Sequence, residues 1–290
     1  MIRRAPLFFL LLFGLSGSLT AQDTLRVLHY NLLNYGNFTD FCTASNNNLN
    51  QKNRHLRTIV GYTQPDIFTA NELADNASGA FAQSVLVNAL NQDGRTQYAR
   101  GTYTNEAGSN ITNMLYYRRD RLALHSEDVI TDPSGLRDIN LYRLYHRSAE
   151  PIVDTTFLVC IVAHLKAGND GDDRTQRARQ TEALMDYLRD LDRADNYLLL
   201  ADLNVYRSTE PAYQNLTEEE DERLRFYDPI NRPGTWNASQ FADLHTQSTR
   251  SSGGCHAGGG MDDRFDFILL NEYLIDDVAG AGYVPGSYRA

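Results

Sequence analysis

The stretch Leu198-Leu-Leu-Ala-Asp-Leu-Asn204 is an apolar run that closes on an acid and an amide two residues apart. Strand side chains alternate, so Asp202 and Asn204 face the same side. A buried strand that delivers two oxygen-bearing side chains at its C-terminal end has the form of half a metal-phosphate site. Three other apolar runs repeat the arrangement. Asn31 closes 25–31, Glu72 follows 65–70, and His164 ends the run that begins Phe157-Leu-Val-Cys-Ile-Val162. Asp266 lies inside 264–269, between Phe265 and Phe267, where a carboxylate needs a partner or costs several kcal/mol.

Outward from these runs, strands are expected over 25–31, 65–70, 113–117, 141–146, 157–165, 197–201 and 265–270. Helices are expected over 51–62, 80–91 and 174–191. In the last of these, Ala178, Thr181, Leu184, Met185 and Leu188 follow the helical period, with Asp172 or Asp173 as N-cap. Strands and helices are mixed throughout, and several strands are apolar on both faces, so both faces need cover. The expected fold is a layered α/β sandwich in one domain over 22–290.

The chain has 290 residues and a formal charge of −10. That balance argues against tight, processive binding of a polyanion. It does not argue against hydrolysis of one, because a bound divalent cation supplies local positive charge. Much of the acid lies in Thr217-Glu-Glu-Glu-Asp-Glu222, read as a solvated helix face or loop.

Residues 1–21 read as a signal peptide: Arg3 and Arg4, an apolar 7–15, then small residues before Ala21. The competing reading is a membrane anchor, for which the apolar run is short. No later segment is apolar enough for stable membrane insertion. The expectation is a secreted or periplasmic protein, a monomer, in which disulfides are possible. Of the three cysteines, Cys160 sits in an apolar strand. Cys42 and Cys255 sit in loop-like sequence and are the favoured pair, although an odd count leaves the pairing open. Zinc is disfavoured, since no two cysteines are close in sequence.

Hydrolysis of a phosphodiester needs a hard cation, a base for water, and a donor for the leaving oxygen. Asn31, Glu72, His164, Asp202, Asn204 and Asp266 supply all three kinds of group. Each has a plainer reading alone: a turn-forming Asn31, a helix-start Glu72, a structural His164, an Asx turn at Asp202. Their joint occurrence favours a site.

Leu28-His-Tyr-Asn31, Pro65-Asp-Ile-Phe-Thr-Ala-Asn-Glu72, Ala163-His-Leu-Lys166, Ala201-Asp-Leu-Asn204 and Arg264-Phe-Asp-Phe-Ile268 occur in the order seen in the endonuclease/exonuclease/phosphatase superfamily, which the chain resembles over nearly its whole mature length. Tyr30-Asn-Leu-Leu-Asn-Tyr-Gly36 is similar to exported bacterial members. The resemblance implies a four-layer sandwich, two central mixed β-sheets flanked by helices. It implies Glu72 and Asn31 as ligands of Mg²⁺ or Mn²⁺, with Ca²⁺ a further option. Asp202 would orient the attacking water, Asn204 and Lys166 would contact the phosphate, and His164 would donate a proton or hydrogen bonds to it. Asp266 would orient a second histidine.

Members of that superfamily carry a Ser-Asp-His-type motif after the acid that matches Asp266. None follows it here, and His245 and His256 precede it. The expectation is a record that ends before that motif and before a closing strand, leaving Asp266 without its partner. The leading function is a secreted metal-dependent nuclease with nucleic acid as substrate. The alternatives are a phospholipid or sugar-phosphate phosphoesterase, with Tyr35, Phe38 and Phe41 as a lipid-facing loop tip, and a catalytically impaired binding module.

Overall fold

The computed structural model describes residues 23–290 except 77, 132–134, 148–154, 253 and 256–257. The leader over 1–21 and His256 lie outside the described residues. Two mixed sheets stack face to face. The first is built from β1 (Val27–Tyr35), β2 (Ile67–Ala74), β3 (Tyr98–Arg100) and β4 (Ile111–Arg118), in the order β1-β2-β4-β3. The second is built from β5 (Leu122–Ile130), β6 (Ile139–His146), β7 (Phe157–His164), β8 (Asn196–Asp202), β9 (Phe226–Tyr227) and β10 (Asp266–Asn271), in the order β5-β6-β7-β8-β10-β9. One parallel pair occurs in each sheet, β1 with β2 and β7 with β8.

The period of two in these strands sorts side chains into layers. In β8, Leu198 and Leu200 enter the core between the sheets, with Ile67 and Leu115 of the first sheet and Cys160 and Val162 of β7. Leu199 and Ala201 face outward onto α3 (Gly171–Leu191) and α4 (Pro211–Thr217), meeting Leu184, Leu188 and Leu216. On the far side, Phe68 and Ala70 pack against Leu56 and Val60 of α1 (Leu49–Thr63) and Ala82 and Val85 of α2 (Ala80–Val85). The result is helix, sheet, sheet, helix: the expected four layers. Two short segments complete the chain, a 3-10 turn at Ser239–Leu244 and α5 (Glu272–Asp276).

Several boundaries depart from the sequence reading. The helix expected over 80–91 is α only to Val85, and Leu86–Leu90 continues as a π turn. The N-cap of α3 is Asp170, upstream of the expected Asp172 or Asp173. Asp173 closes a capping box with it, so Asp173 serves at the third helical position. Strand β5 was not anticipated because its middle, residues 125–128, is polar and carries the exposed residues of an edge strand. Helix α4 is too short to show a period. Past it, the acidic 218–222 segment is partly paired: Glu219 meets Arg189, and Asp221 meets Arg223 at 2.6 Å.

Cys42 and Cys255 form a disulfide across 213 residues, with Cα atoms 4.1 Å apart and both residues buried. It ties the loop after β1 to the glycine-rich loop before β10. Cys160 is a free, buried thiol, and burial pushes its pKa up. Closing so long a loop removes entropy from the unfolded chain. The Cys42→Ser/Cys255→Ser double variant should therefore lose about 3–5 kcal/mol of stability in denaturant titration. Equal stability of variant and parent would show that the bridge is not formed.

Candidate active site

All the candidate acids and amides enter the seam between the sheets, and strand parity explains why. In β1, Val27 is in the inter-sheet core, so His29 and Asn31 follow it on the same face. In β7, Cys160 and Val162 lead to His164; in β8, Leu198 and Leu200 lead to Asp202; in β10, Leu270 leads back to Asp266. Within the second sheet, His164 is level with Asp202, and Asp202 is level with Asp266.

Glu72 breaks parity. The sequence reading put Glu72 at the end of its strand, but β2 runs on to Ala74. Pairing with β4 slips between Ala70 and Leu73, and Glu72 holds a left-handed φ of 61°. Such a bulge re-aims one side chain, and here it brings the Glu72 carboxylate round to the amide of Asn31. Nor is Asn31 at a strand end: β1 continues to Tyr35, with its own register shift between Asn31 and Tyr35.

Asn31 Nδ2 donates to Glu72 Oε1 and to Asp202 Oδ2, each at 2.9 Å, so one amide joins a carboxylate of each sheet. Its Oδ1 accepts from Leu33 N at 2.8 Å. Glu72 Oε2 accepts from Asn34 N at 2.7 Å. Asp202 Oδ1 accepts from Asn204 N at 3.1 Å, and Asp202 N donates to Asn71 Oδ1 at 3.3 Å. His164 Nε2 stands 3.6 Å from Asp202 Oδ2. Asn204 is buried beside them, its Nδ2 donating to Leu165 O at 3.2 Å.

Lys166 does not join the cluster. Its amine donates to Asp173 Oδ1 and to Ala167 O, both at 2.6 Å, at the start of α3. Tyr35 is also displaced from its expected loop-tip role: it is fully buried, its hydroxyl donating to Asn53 Oδ1. His245 bonds the carbonyls of Trp236 and Met261 and takes no part.

Beside Asp266 stands a histidine that precedes it in the chain, without a hydrogen bond between the two. His29 Nε2 lies 3.6 Å from Asp266 Oδ1, and His29 Nδ1 pairs with Thr69 Oγ1 at 2.9 Å. Thr246 Oγ1 accepts from Asp266 N at 3.0 Å. Alternation from Asn31 could have flagged His29; nothing in the sequence marked Thr69, Asn71 or Thr246. Arg137 was equally silent. Its Nη1 donates to the carbonyls of His164 and Leu165 at 3.3 and 3.0 Å, and its charge favours the ionised form of Asp202.

Beneath the site, Arg177 and Glu210 form a buried ion pair at 2.6 Å. Arg177 also bonds the carbonyls of Lys166 and Gly168, and Glu210 accepts from Tyr206 N. One pair thus fixes both loops that leave β7 and β8. Removing either partner would strand a buried charge.

The electrostatics favour a cation. Burial raises the Asp202 pKa to about 6, with the charge of Glu72 adding and the Asn31 bond opposing. Asp266 is raised well above the usual range, first by burial and then by Asp202. Burial lowers His29 to about 3 and holds His164 well below its ordinary value, so both imidazoles are neutral. His29 Nε2, His164 Nδ1 and Asp266 Oδ1 are buried without a hydrogen-bond partner among the described residues. Ligand atoms of Glu72, His164 and Asp202 lie within 4.8 Å of one another. Crowded carboxylates and orphaned ring nitrogens are the donor set of a divalent metal site.

No protein-family model matches the chain, and no curated protein sequence does. Solved structures do resemble it. An endonuclease/exonuclease/phosphatase from Bacteroides vulgatus shares 13% identity at a TM-score of 0.57, over 86% of this chain and 87% of that one. The human Nocturnin catalytic domain with bound sulfate shares 15% at 0.56, over 86% and 83%. D. rerio TDP2 complexed with single strand DNA product shares 11% at 0.54, over 85% and 83%. At such identities the likeness is one of fold, and no helix among the described residues is long and apolar enough to cross a membrane. Two mixed sheets with helices on their outer faces, matched over most of their length, give this chain the fold of the endonuclease/exonuclease/phosphatase superfamily.

Proposed function

We propose that the protein is an exported, divalent-metal-dependent phosphodiesterase of this superfamily that hydrolyses DNA or RNA. One observation carries the reading: Asn31 bonds Glu72 and Asp202 at once, with His164 beside them, in the seam between the two sheets. Glu72 and Asp202, with the Asn31 oxygen or a His164 nitrogen, are the residues that would hold Mg²⁺ or Mn²⁺. The ion would neutralise charge developing on the phosphoryl oxygens.

The chain's own groups divide the remaining work. Asp202 is a buried carboxyl with a pKa raised to about 6, suited to orienting a water and taking its proton near neutral pH. His164 is neutral, so it serves as a hydrogen-bond donor to the phosphate rather than as a fixed cation. Asn204 keeps a second amide N–H for the same phosphate. Asp266, level with Asp202, and His29 adjoin this group, and burial and the Asp202 charge raise the Asp266 pKa.

Two neighbours of this fold support the class of ligand: TDP2 was seen with a single strand DNA product, and Nocturnin with sulfate, a tetrahedral anion like phosphate. Export is supported by the leader-like 1–21 and by the Cys42–Cys255 bridge, a bond typical of oxidising compartments. A second reading, a phospholipid phosphoesterase, is favoured by Phe38 and Phe41, which are 50% and 67% exposed on the loop after β1.

Purified protein should degrade plasmid DNA or single-stranded RNA with Mg²⁺ or Mn²⁺ and leave both intact in EDTA. Because the chain is acidic, the rate should depend steeply on cation concentration. Intact nucleic acid across metals and pH, with release of phosphocholine from sphingomyelin, would transfer the assignment to lipid. The variants Glu72→Gln and Asp202→Asn should each lower kcat by about 10²–10⁴-fold while keeping the parent Tm. Activity within about tenfold of the parent in either variant would remove that residue from the chemistry.

A further inference from the structure

A cavity of about 510 Å³ opens between β1, α1 and the loop that carries Cys255. Its volume falls in the range of small-ligand sites. Tyr30, Lys52, His55 and Arg250 line it, and no acidic residue among the described ones does. In a chain of net charge −10, an acid-free pocket with two fixed cations is an unusual local field. Among the described residues, no carboxylate forms an ion pair with Lys52, His55 or Arg250. Burial brings the Lys52 ammonium down to about 8, with Glu72 opposing and Arg250 adding, so Lys52 is still a cation at neutral pH.

The cavity shares a wall with the metal cluster. Lys52 Nζ donates to the carbonyls of Leu32 (2.7 Å) and Leu33. From the other side, Leu33 N donates to Asn31 Oδ1 and Asn34 N to Glu72 Oε2. Leu33 and Asn34 are both left-handed, at φ 49° and 57°, a costly pair for residues with a Cβ. One turn is thus held between the cluster and the cavity. Two of the three Lys52 N–H groups are used in that turn, leaving one for a ligand. Arg250 is exposed, and its five N–H groups suit a phosphate. Tyr30 is 40% exposed and offers a ring face for stacking.

We propose that this cavity binds a nucleotide unit flanking the scissile phosphate, its phosphate between Lys52 and Arg250 and its base against Tyr30. The inference rests on the nuclease reading and adds the subsite that would grip the strand beside the cut. It also gives an acidic protein a locally positive contact for a polyanion, adjoining the cluster.

The test is calorimetric titration of the whole protein in EDTA with deoxyadenosine 5′-monophosphate, adenosine and inorganic phosphate. Working in EDTA separates the subsite from catalysis: binding by a protein that hydrolyses nothing would keep the subsite and sink the nuclease. The monophosphate should bind, with adenosine at least about tenfold weaker, the difference of one charge-assisted contact. Arg250→Gln, an exposed change, should weaken the monophosphate about tenfold with Tm preserved. Tyr30→Ala should bring its affinity down to that of inorganic phosphate. The proposal is overturned if Arg250→Gln binds the monophosphate as the parent does, if adenosine binds equally well, or if inorganic phosphate matches the monophosphate in the parent.

Discussion

Three carboxyl groups, Glu72, Asp202 and Asp266, are brought into one buried seam by strands of two different sheets, and that crowding governs the molecule. Burial and the charge of Glu72 push Asp202 to about 6, and burial with the charge of Asp202 raises Asp266 well above the usual carboxylate range. A fold does not place acids so without something to answer them. Within the chain the answers are partial: one amide group of Asn31, the backbone N–H groups of Asn34 and Asn204, and the distant charge of Arg137. The two histidines do not help as cations, because burial keeps them neutral. A divalent ion is the chemical species that would balance the set.

Around this cluster the backbone departs from regular geometry. Leu33, Asn34, Glu72 and Asn204 all take positive φ, and each lies in or next to the cluster. Strain of this kind persists only where surrounding bonds over-determine it. Here those bonds are the site's own: Asn31 holds Leu33, Glu72 holds Asn34, and Asp202 holds Asn204. Below, the Arg177–Glu210 pair fixes the loops that leave β7 and β8. Site and scaffold are therefore one hydrogen-bonded object.

The layers were legible in the sequence because β7, β8 and β10 are apolar on both faces, a pattern that only a covered sheet explains. The same runs pointed to Asp202 and His164, since a polar side chain ending a buried run is costly unless used. Asn31 was also legible. Its neighbour His29 was not singled out, although alternation along β1 puts both on one face. Glu72 was found in the right place for an incomplete reason: its direction depends on a bulge, and no residue type marks it. Lys166 read as a phosphate contact because it follows His164, yet a lysine beside a helix start is drawn to the capping acid Asp173. The edge strand β5 and the contribution of Arg137 depend on tertiary context that a local pattern does not carry.

The central claim is that Glu72 and Asp202, with His164 beside them, form a cation site. Titration calorimetry of Mn²⁺ into metal-free protein at pH 6, in buffers of different ionisation enthalpy, tests it most directly. The account predicts a saturable site of one ion per chain, with proton release as the ion displaces the proton of Asp202, and loss of that site in Glu72→Gln. The absence of saturable binding, or binding without proton release that survives Glu72→Gln, would contradict it.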